Sequence, residues 1–256
     1  MASQTGDRDT LSGTLERGLA ILEFFAATGE ASSAVVADAL GLSRSATYRI
    51  IDALRERGYL EVNPASEKMR LGMRAAELGM SALAGVDVVR LAPPFLRDLV
   101  GTTSETVFLA VMDSEAMVYV YKEEGTQAVT MSSQIGSRRP LHSTALGKAY
   151  MSALPDDARR SLVGRLDLKR FTANTITDAA ALGRELTLTE ERGYAIDNVE
   201  GEEGVACYAA PVLDHRRLPV AAISVAGPAG RTLPAEGRIG PLVVETASAI
   251  SRRLGY

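Results

Sequence analysis

Apolar positions recur at helical spacing through the first part of the chain and then switch to alternation. Residues 14–27, TLERGLAILEFFAA, set Leu15, Leu19, Leu22 and Phe25 at intervals that share one helical face, and Gly29 closes the segment. In SSAVVADAL, Ser32 or Ser33 can cap a second helix, and Gly41 can take the left-handed conformation that ends it. Ser43 can cap a third, which runs through RSATYRIIDALRER to Gly58. Three helices with a tight Gly-Leu-Ser corner between the last two predict a helix-turn-helix. YLEVNPASEKMRL then alternates apolar and polar residues around a Pro-Ala-Ser turn, which predicts a β-hairpin and so a winged helix-turn-helix over residues 1–72.

The pattern loosens in GMRAAELGMSALAGVD, where Met73, Leu78 and Leu83 keep only approximate helical spacing; a linker helix is expected over 73–89. Across residues 90–256 helices and strands mix. LAPPFLRDLV reads as a helix led in by two prolines, and ETVFLAVM and AMVYVYK as strands around an Asp113-Ser114-Glu115 turn. AVTMSSQ is expected as a further strand leading into LHSTALGKAY, whose helix starts at Ser143 or Thr144. ALGRELTLTEERG predicts a helix before the strand YAIDN; after an acidic loop VACYAAPVL and PVAAISVAG read as paired strands, and LVVETASAISRRL as a final helix. The class expected is α+β with an antiparallel sheet.

Composition narrows the function classes. With 46% hydrophobic and 23% charged residues in 256, the chain reads as a globular protein of two ordinary domains. No segment approaches the run of about twenty apolar residues that spans a bilayer, and MASQTGDRDT lacks the basic start and apolar core of a signal peptide, so no membrane partner and a cytoplasmic location are expected. The single cysteine, Cys207, excludes an internal disulfide and a multi-cysteine zinc site; no metal and no cofactor are expected. A net charge of −4 argues against general coating of nucleic acid. Residues 1–72 carry −2, yet residues 43–57 carry +2, which concentrates positive charge on the third helix. That favours a dimeric reader of specific double-stranded DNA sites.

In such a fold the start of the third helix meets base edges in the major groove. Ser43, Arg44, Ser45, Tyr48 and Arg49 form its outer side, while Ala46, Thr47 and Ile50 face the other helices. Arg44 and Arg49 can pair bidentately with guanine or clamp a phosphate, Ser45 and Tyr48 can donate to phosphate oxygens, and Lys68 and Arg70 of the hairpin can extend the contact. A winged helix used for protein contacts is the bland alternative.

LHSTALGKAY suggests a phosphate loop, but His142 stands where the first glycine is needed and Ala149 where a hydroxyl should reach magnesium. The chain also lacks G-x-S-x-G, G-x-G-x-x-G and H-E-x-x-H, which counts against the rival reading of a metabolic enzyme with an accessory winged helix. Unpaired N–H groups at the helix start suit a carboxylate instead.

Seven segments in order, LERGLAILEFFA, VADALGLSRSATYRIIDALRERGYL, RLGMRAAELG, SETVFLAVMDSEAMVYV, PLHSTALGKA, RGYAIDNVEGEEGVACYAAPVLD and VAAISVAGPAGR, give a chain that resembles the IclR family of bacterial transcriptional regulators over nearly its whole length. The resemblance implies a winged helix-turn-helix, a linker helix and a C-terminal GAF-like domain that binds a small metabolite, assembled as a homodimer or dimer of dimers on an operator. It further implies an effector cavity lined by Leu141, Ala145, Gly147, Asp197, Cys207, Ala209 and Ser224, with a small organic or aromatic acid as effector. Two departures stand out: Val199 precedes Glu200 where two glutamates are usual, and Arg216 or Arg217 replaces a turn glycine. Several of these residues have a plainer reading. Gly147 can admit a ligand or allow close packing; Cys207 can be a small buried apolar residue; Asp197 can start a turn; His142 can be a hydrogen-bonded structural group or join Cys207 and Asp197 on a metal. Lys148 is expected to point to solvent or a carbonyl. Arg138 and Arg139 are a solvated face or an attractor for an anionic effector.

Overall fold

In the computed structural model, which describes residues 13–84, 87–128 and 133–256, the chain forms two units, Met1–Gly85 and Val86–Tyr256. The first holds α1 (Thr14–Thr28), α2 (Ser33–Leu40), α3 (Arg44–Glu56), β1 (Leu60–Val62), β2 (Met69–Leu71) and α4 (Met73–Ala84). The Ser32 hydroxyl accepts from Val35 N, and Gly41 ends α2 at φ 63°. The Ser43 hydroxyl caps α3 by accepting from Ala46 N. Ile21, Phe25, Val36, Ile51 and Leu60 form the core. The buried stripe of α1 therefore differs from the expected one: Ile21 and Phe25 are buried, whereas Leu15 and Leu19 are exposed. The face that packs runs through Ile21 and Phe25, which meet the other helices, with Gly18 on the same side next to the Ile50 side chain. β1 and β2 pair antiparallel in register Leu60↔Leu71 and Val62↔Met69, and Ala31 bridges Met69 beside them.

The second unit contains α5 (Asp87–Leu91), α6 (Pro93–Thr103), β3 (Thr106–Asp113), β4 (Ala116–Glu123), β5 (Arg138–Pro140), α7 (Ala145–Ser152), α8 (Asp156–Val163), α9 (Ala179–Arg192), β6 (Ala195–Asn198), β7 (Val205–Leu213), β8 (Pro219–Pro228), α10 (Ala229–Thr232) and α11 (Glu236–Arg253). The strands form one antiparallel sheet in the order β5-β4-β3-β8-β7-β6. β3 and β8 lie at its centre and are buried along most of their length, hence their continuous apolar runs. Short β5, ending in Pro140, closes one edge. α7, backed by α9, covers the face carrying Cys207 and Ala209; α11 and α6 lie across the other.

The α+β class with an antiparallel sheet is what the sequence pattern led us to expect. The expected AVTMSSQ strand includes residues 129–132, which lie outside the described residues, and the strand that pairs with β4 is β5. The expected linker helix likewise includes residues 85 and 86, outside the described residues, between α4 and α5. The last helix starts at Glu236 and carries Pro241 inside it, rather than starting after the proline. Gly240 makes room there: a Cβ would come within 2.5 Å of the Tyr194 ring.

Candidate functional site

The outer side of α3 is as the sequence suggests, while on the inner side Ala46 and Ile50 are only half-buried and Ile51 takes the core position. Ser43, Arg44, Ser45, Tyr48 and Arg49 are exposed, and Thr47 and Ile51 are fully buried. The Thr47 hydroxyl donates to Ser43 O at 3.1 Å, which satisfies it beneath the helix start. Lys68 is exposed at the hairpin end. Arg70 differs from a free phosphate contact in that its guanidinium lies 2.7 Å from Glu61 across the β1–β2 ladder. Both side chains are more than 40% exposed, so this pair is weak and can open toward a phosphate.

In the second unit a cavity of about 80 Å³ lies between the sheet and the start of α7. This is roughly half the volume of an engineered cavity that holds one benzene, about 150 Å³, so the space as it stands fits a short aliphatic acid. Phe108 of β3 and Tyr119 of β4 stack at 4.4 Å between centroids and supply a flat apolar wall. Phe171, half exposed, stands at the rim. The polar lining is Arg139, Ser143, Thr144, Asp197, Glu202, Cys207 and Ser224. Thr144 caps α7 by accepting from Gly147 N at 3.2 Å, and donates to Pro140 O. The N–H groups of Ala145 and Leu146, in the first turn beside it, have no acceptor within the helix. The Ser143 hydroxyl is completely buried and has no hydrogen-bond partner, although buried hydroxyls are ordinarily bonded. Arg139 reaches Ser133 Oγ at 2.7 Å and Glu202 at 3.3 Å, with its guanidinium 6.0 Å from the Tyr119 ring centre.

Burial dominates the electrostatics. It pushes the Asp197 carboxyl up to about 7; the neighbouring Glu200 charge adds to this, while backbone N–H donors and Lys148 oppose it. Asp197 Oδ1 accepts from Glu200 N at 2.7 Å and Gly201 N at 3.4 Å. Burial also pushes the Cys207 thiol well up, which keeps it neutral and unreactive, and raises Tyr119 to about 12. Val199, a β-branched residue at φ 57°, bends the backbone between Asp197 and Glu200. A loop from the segment before α9 clasps this turn. Thr172 Oγ1 donates to Val199 O at 2.6 Å, Thr175 Oγ1 to Glu200 O at 2.7 Å and Asn174 Nδ2 to Asn198 O at 2.9 Å. Arg217, at φ 64° in the turn between β7 and β8, holds the conformation a glycine there would adopt freely.

Of the residues expected at the cavity, the structure brings together Ala145, Asp197, Cys207 and Ser224. Leu141, Gly147 and Ala209 are buried near it without lining it. Gly147 serves packing: a Cβ would lie 2.2 Å from Leu141 O, so α7 rests directly on the backbone of residue 141. The expectation that Lys148 meets solvent or a carbonyl is corrected. It is fully buried, with Nζ 2.6 Å from Glu200 Oε1, because the turn after β6 folds over α7. His142 Nε2 donates to Lys169 O at 2.9 Å as a structural group, and no cluster of metal-binding side chains occurs among the described residues. Asp197 is buried in β6, where it both lines the cavity and holds the following turn by accepting from Glu200 N and Gly201 N. Sequence reasoning missed Phe108 and Tyr119, whose signal was an aromatic in each of two adjacent expected strands. It also missed Phe171, in a stretch without periodicity.

A wider open groove of about 700 Å³ borders α9, α11 and the β7–β8 turn. Its cations are engaged, Arg216 with Asp214 and Arg217 over the Tyr256 ring, and among the described residues no buried side chain without a partner lines it, whereas the buried, unbonded Ser143 hydroxyl lines the smaller cavity.

Two family models match: IclR helix-turn-helix domain over residues 14–64, and bacterial transcriptional regulator IclR C-terminal over residues 80–252. The HTH-type transcriptional regulator XynR of Escherichia coli is 34% identical over 247 residues, 95% of this chain and 97% of that protein. The crystal structure of Thermotoga maritima IclR superposes with a TM-score of 0.81 at 33% identity, covering 95% of this chain and 99% of that one. An IclR homolog from Microbacterium hydrocarbonoxydans complexed with 4-hydroxybenzoate shares the fold, with a TM-score of 0.82 at 23% identity over 94% of this chain and 99% of that one.

Proposed function

The chain belongs to the IclR family of bacterial transcriptional regulators, and from that premise we propose that it is a cytoplasmic regulator whose DNA affinity is set by a small carboxylic acid bound in the cavity beside α7. The observation that carries this reading is the Ser143 hydroxyl, buried and unbonded at the wall of the cavity. A carboxylate there would accept from Ser143 and from the free N–H groups at the head of α7, favoured by the helix dipole. Arg139 would supply the counter-charge, and the stacked Phe108 and Tyr119 rings a flat seat for an aromatic or short aliphatic body. The IclR homolog that holds 4-hydroxybenzoate supports a carboxylic acid as the class of ligand.

On the DNA side, Ser43, Arg44, Ser45, Tyr48 and Arg49 would enter the major groove, with Lys68 and Arg70 on flanking phosphates. Residues 1–72 are the DNA-reading head, 73–89 the linker and 90–256 the effector domain. Two or four copies would present paired heads to a symmetric operator, and the acid acts by its different affinity for the head arrangements. This is sensing without turnover. A thermal-shift screen of small aliphatic and aromatic acids, followed by gel shifts on the DNA upstream of the protein's own gene, tests it. The expected result is an acid that raises the melting temperature and changes operator affinity; a panel in which no acid does either would refute the reading.

A further inference from the structure

Lys148 is the only charged residue of α7 and is completely buried, its ammonium 2.6 Å from Glu200 Oε1 and 3.7 Å from Glu185 Oε1. Buried ion pairs are weak contributors to stability, since well-packed apolar residues often do as well, so stability alone does not account for this one. Its connections point elsewhere. Glu200 takes Lys148 on its side chain and donates its backbone N–H to Asp197 Oδ1 at 2.7 Å. Gly201 follows with a second N–H to the same oxygen, and lies so close to Ser143 that a Cβ would be 2.8 Å from Ser143 O. Two residues thus join the helix at the cavity to the carboxyl on its wall.

We propose that Lys148, acting through Glu200, is a positioning residue that sets the charge of Asp197, so that an anionic effector enters the cavity together with one proton taken from solvent onto Asp197. The inference rests on reading this cavity as the effector site. The groups around Asp197 are Glu200 and Glu202 on its own turn, Lys148 from α7, Arg139 from β5, Tyr119 from β4 and Cys207 from β7. Glu185 of α9 stands behind Lys148 and is shared with Arg192. Cys207 and Tyr119 stay neutral at ordinary pH because burial raises both. Asp197 is then the group poised to titrate near neutrality, raised to about 7 by burial and by Glu200 and held from rising further by its N–H donors and Lys148. A second carboxylate entering so dry a space repels an ionised Asp197, and protonation of Asp197 relieves the repulsion.

The test reads the Asp197 carboxyl directly in the ligand-free full-length protein, by carbon-13 NMR titration. Wild type should titrate at about 7. Lys148→Met, which deletes the positive charge, should raise the midpoint by about one unit or more, and Glu200→Gln, which deletes the negative one, should lower it. A merely structural role would admit water in both variants and move both midpoints down toward that of an ordinary aspartate, which would overturn the proposal, as would no movement in either. Should Lys148→Met fail to fold, Lys148→Met/Glu200→Leu replaces both charges with apolar groups, a change such pairs tolerate. Its midpoint should stay near that of wild type, and a fall to the ordinary range would count against us. Calorimetric titration with benzoate at pH 8, in buffers of different ionisation heat, should then register about one proton taken up per benzoate bound by wild type and none by Asp197→Asn. Benzoate binding without proton uptake overturns the proposal. Failure of benzoate and the wider acid panel to bind, with the NMR displacements intact, would instead overturn acid sensing while the action of Lys148 on Asp197 stands.

Discussion

Replacing Ser143 with alanine should make the ligand-free protein more stable and the sensor worse. In the free protein the hydroxyl is fully buried and unbonded, a state that costs about 1–3 kcal/mol. Removing a single oxygen beside a cavity that already exists adds little empty space, so most of that cost is recovered and a net gain of about 1 kcal/mol is expected. For a domain the size of Val86–Tyr256, this is a rise in melting temperature of about 2–4 °C. With a carboxylate bound, the same hydroxyl donates to a charged acceptor, a bond worth about 1.5–3 kcal/mol. Its loss should weaken binding about tenfold to a hundredfold. Scanning calorimetry of wild type and Ser143→Ala without ligand, and titration of both with an acid found in the thermal-shift screen, read the two effects. Opposite signs are the signature of a group kept for binding at the expense of stability. A lower melting temperature for the unliganded variant would mean that the hydroxyl is satisfied in the free protein, and an unchanged affinity would remove it from the effector; either result refutes the reasoning.

Gly147→Ala should cost about 1–3 kcal/mol or more in urea unfolding, because the new methyl would fall 2.2 Å from Leu141 O and 2.4 Å from Leu141 Cα, both backbone atoms that cannot rotate away. Val199→Asn should stabilise the folded chain by about 1 kcal/mol, read as a higher urea midpoint, since asparagine tolerates the left-handed conformation that strains a β-branched residue at φ 57°. The Asp197 carboxyl, raised from 3.8 to about 7, is protonated in the folded chain over a range where the unfolded chain has lost the proton. Its contribution to stability is therefore complete below about pH 4, falls as pH rises to about 7 and is constant above; urea unfolding at intervals across that range should show the decline in wild type and a flatter profile in Asp197→Asn. Arg49→Ala should weaken operator binding by about 1–3 kcal/mol in a gel-shift titration if Arg49 reads a base, and an unchanged affinity would take it out of the groove.

What could be read from the sequence depends on how far apart the interacting residues lie. The caps at Ser32 and Ser43, the Gly41 corner and the hairpin are decided within a few positions, and each appears where its local chemistry puts it. Even there, the inward face of α1 is set by what Ile21 and Phe25 meet on other elements, so spacing within α1 alone chose Leu15 and Leu19 wrongly. α8 went unread although Pro155 and two aspartates mark its start, because its apolar content is too small to show a period. At the cavity, Asp197 and Cys207 stand on adjacent strands and Ala145 opens a helix, so a family pattern could place them. Lys148 could not be placed in this way. A lysine is ordinarily exposed, and the carboxylate that buries this one lies 52 positions further on, in a turn bent by Val199 and clasped by Thr172 and Thr175. Each of these residues breaks a local rule: a buried ammonium, a β-branched left-handed residue, a carboxyl protonated near neutrality. Local rules are broken together where the surrounding structure over-determines the geometry, and that is where function is expected. Local reasoning fails at Lys148 and Val199 because the turn after β6 is held by residues far away in the sequence, Lys148 on α7 and Thr172 and Thr175 before α9.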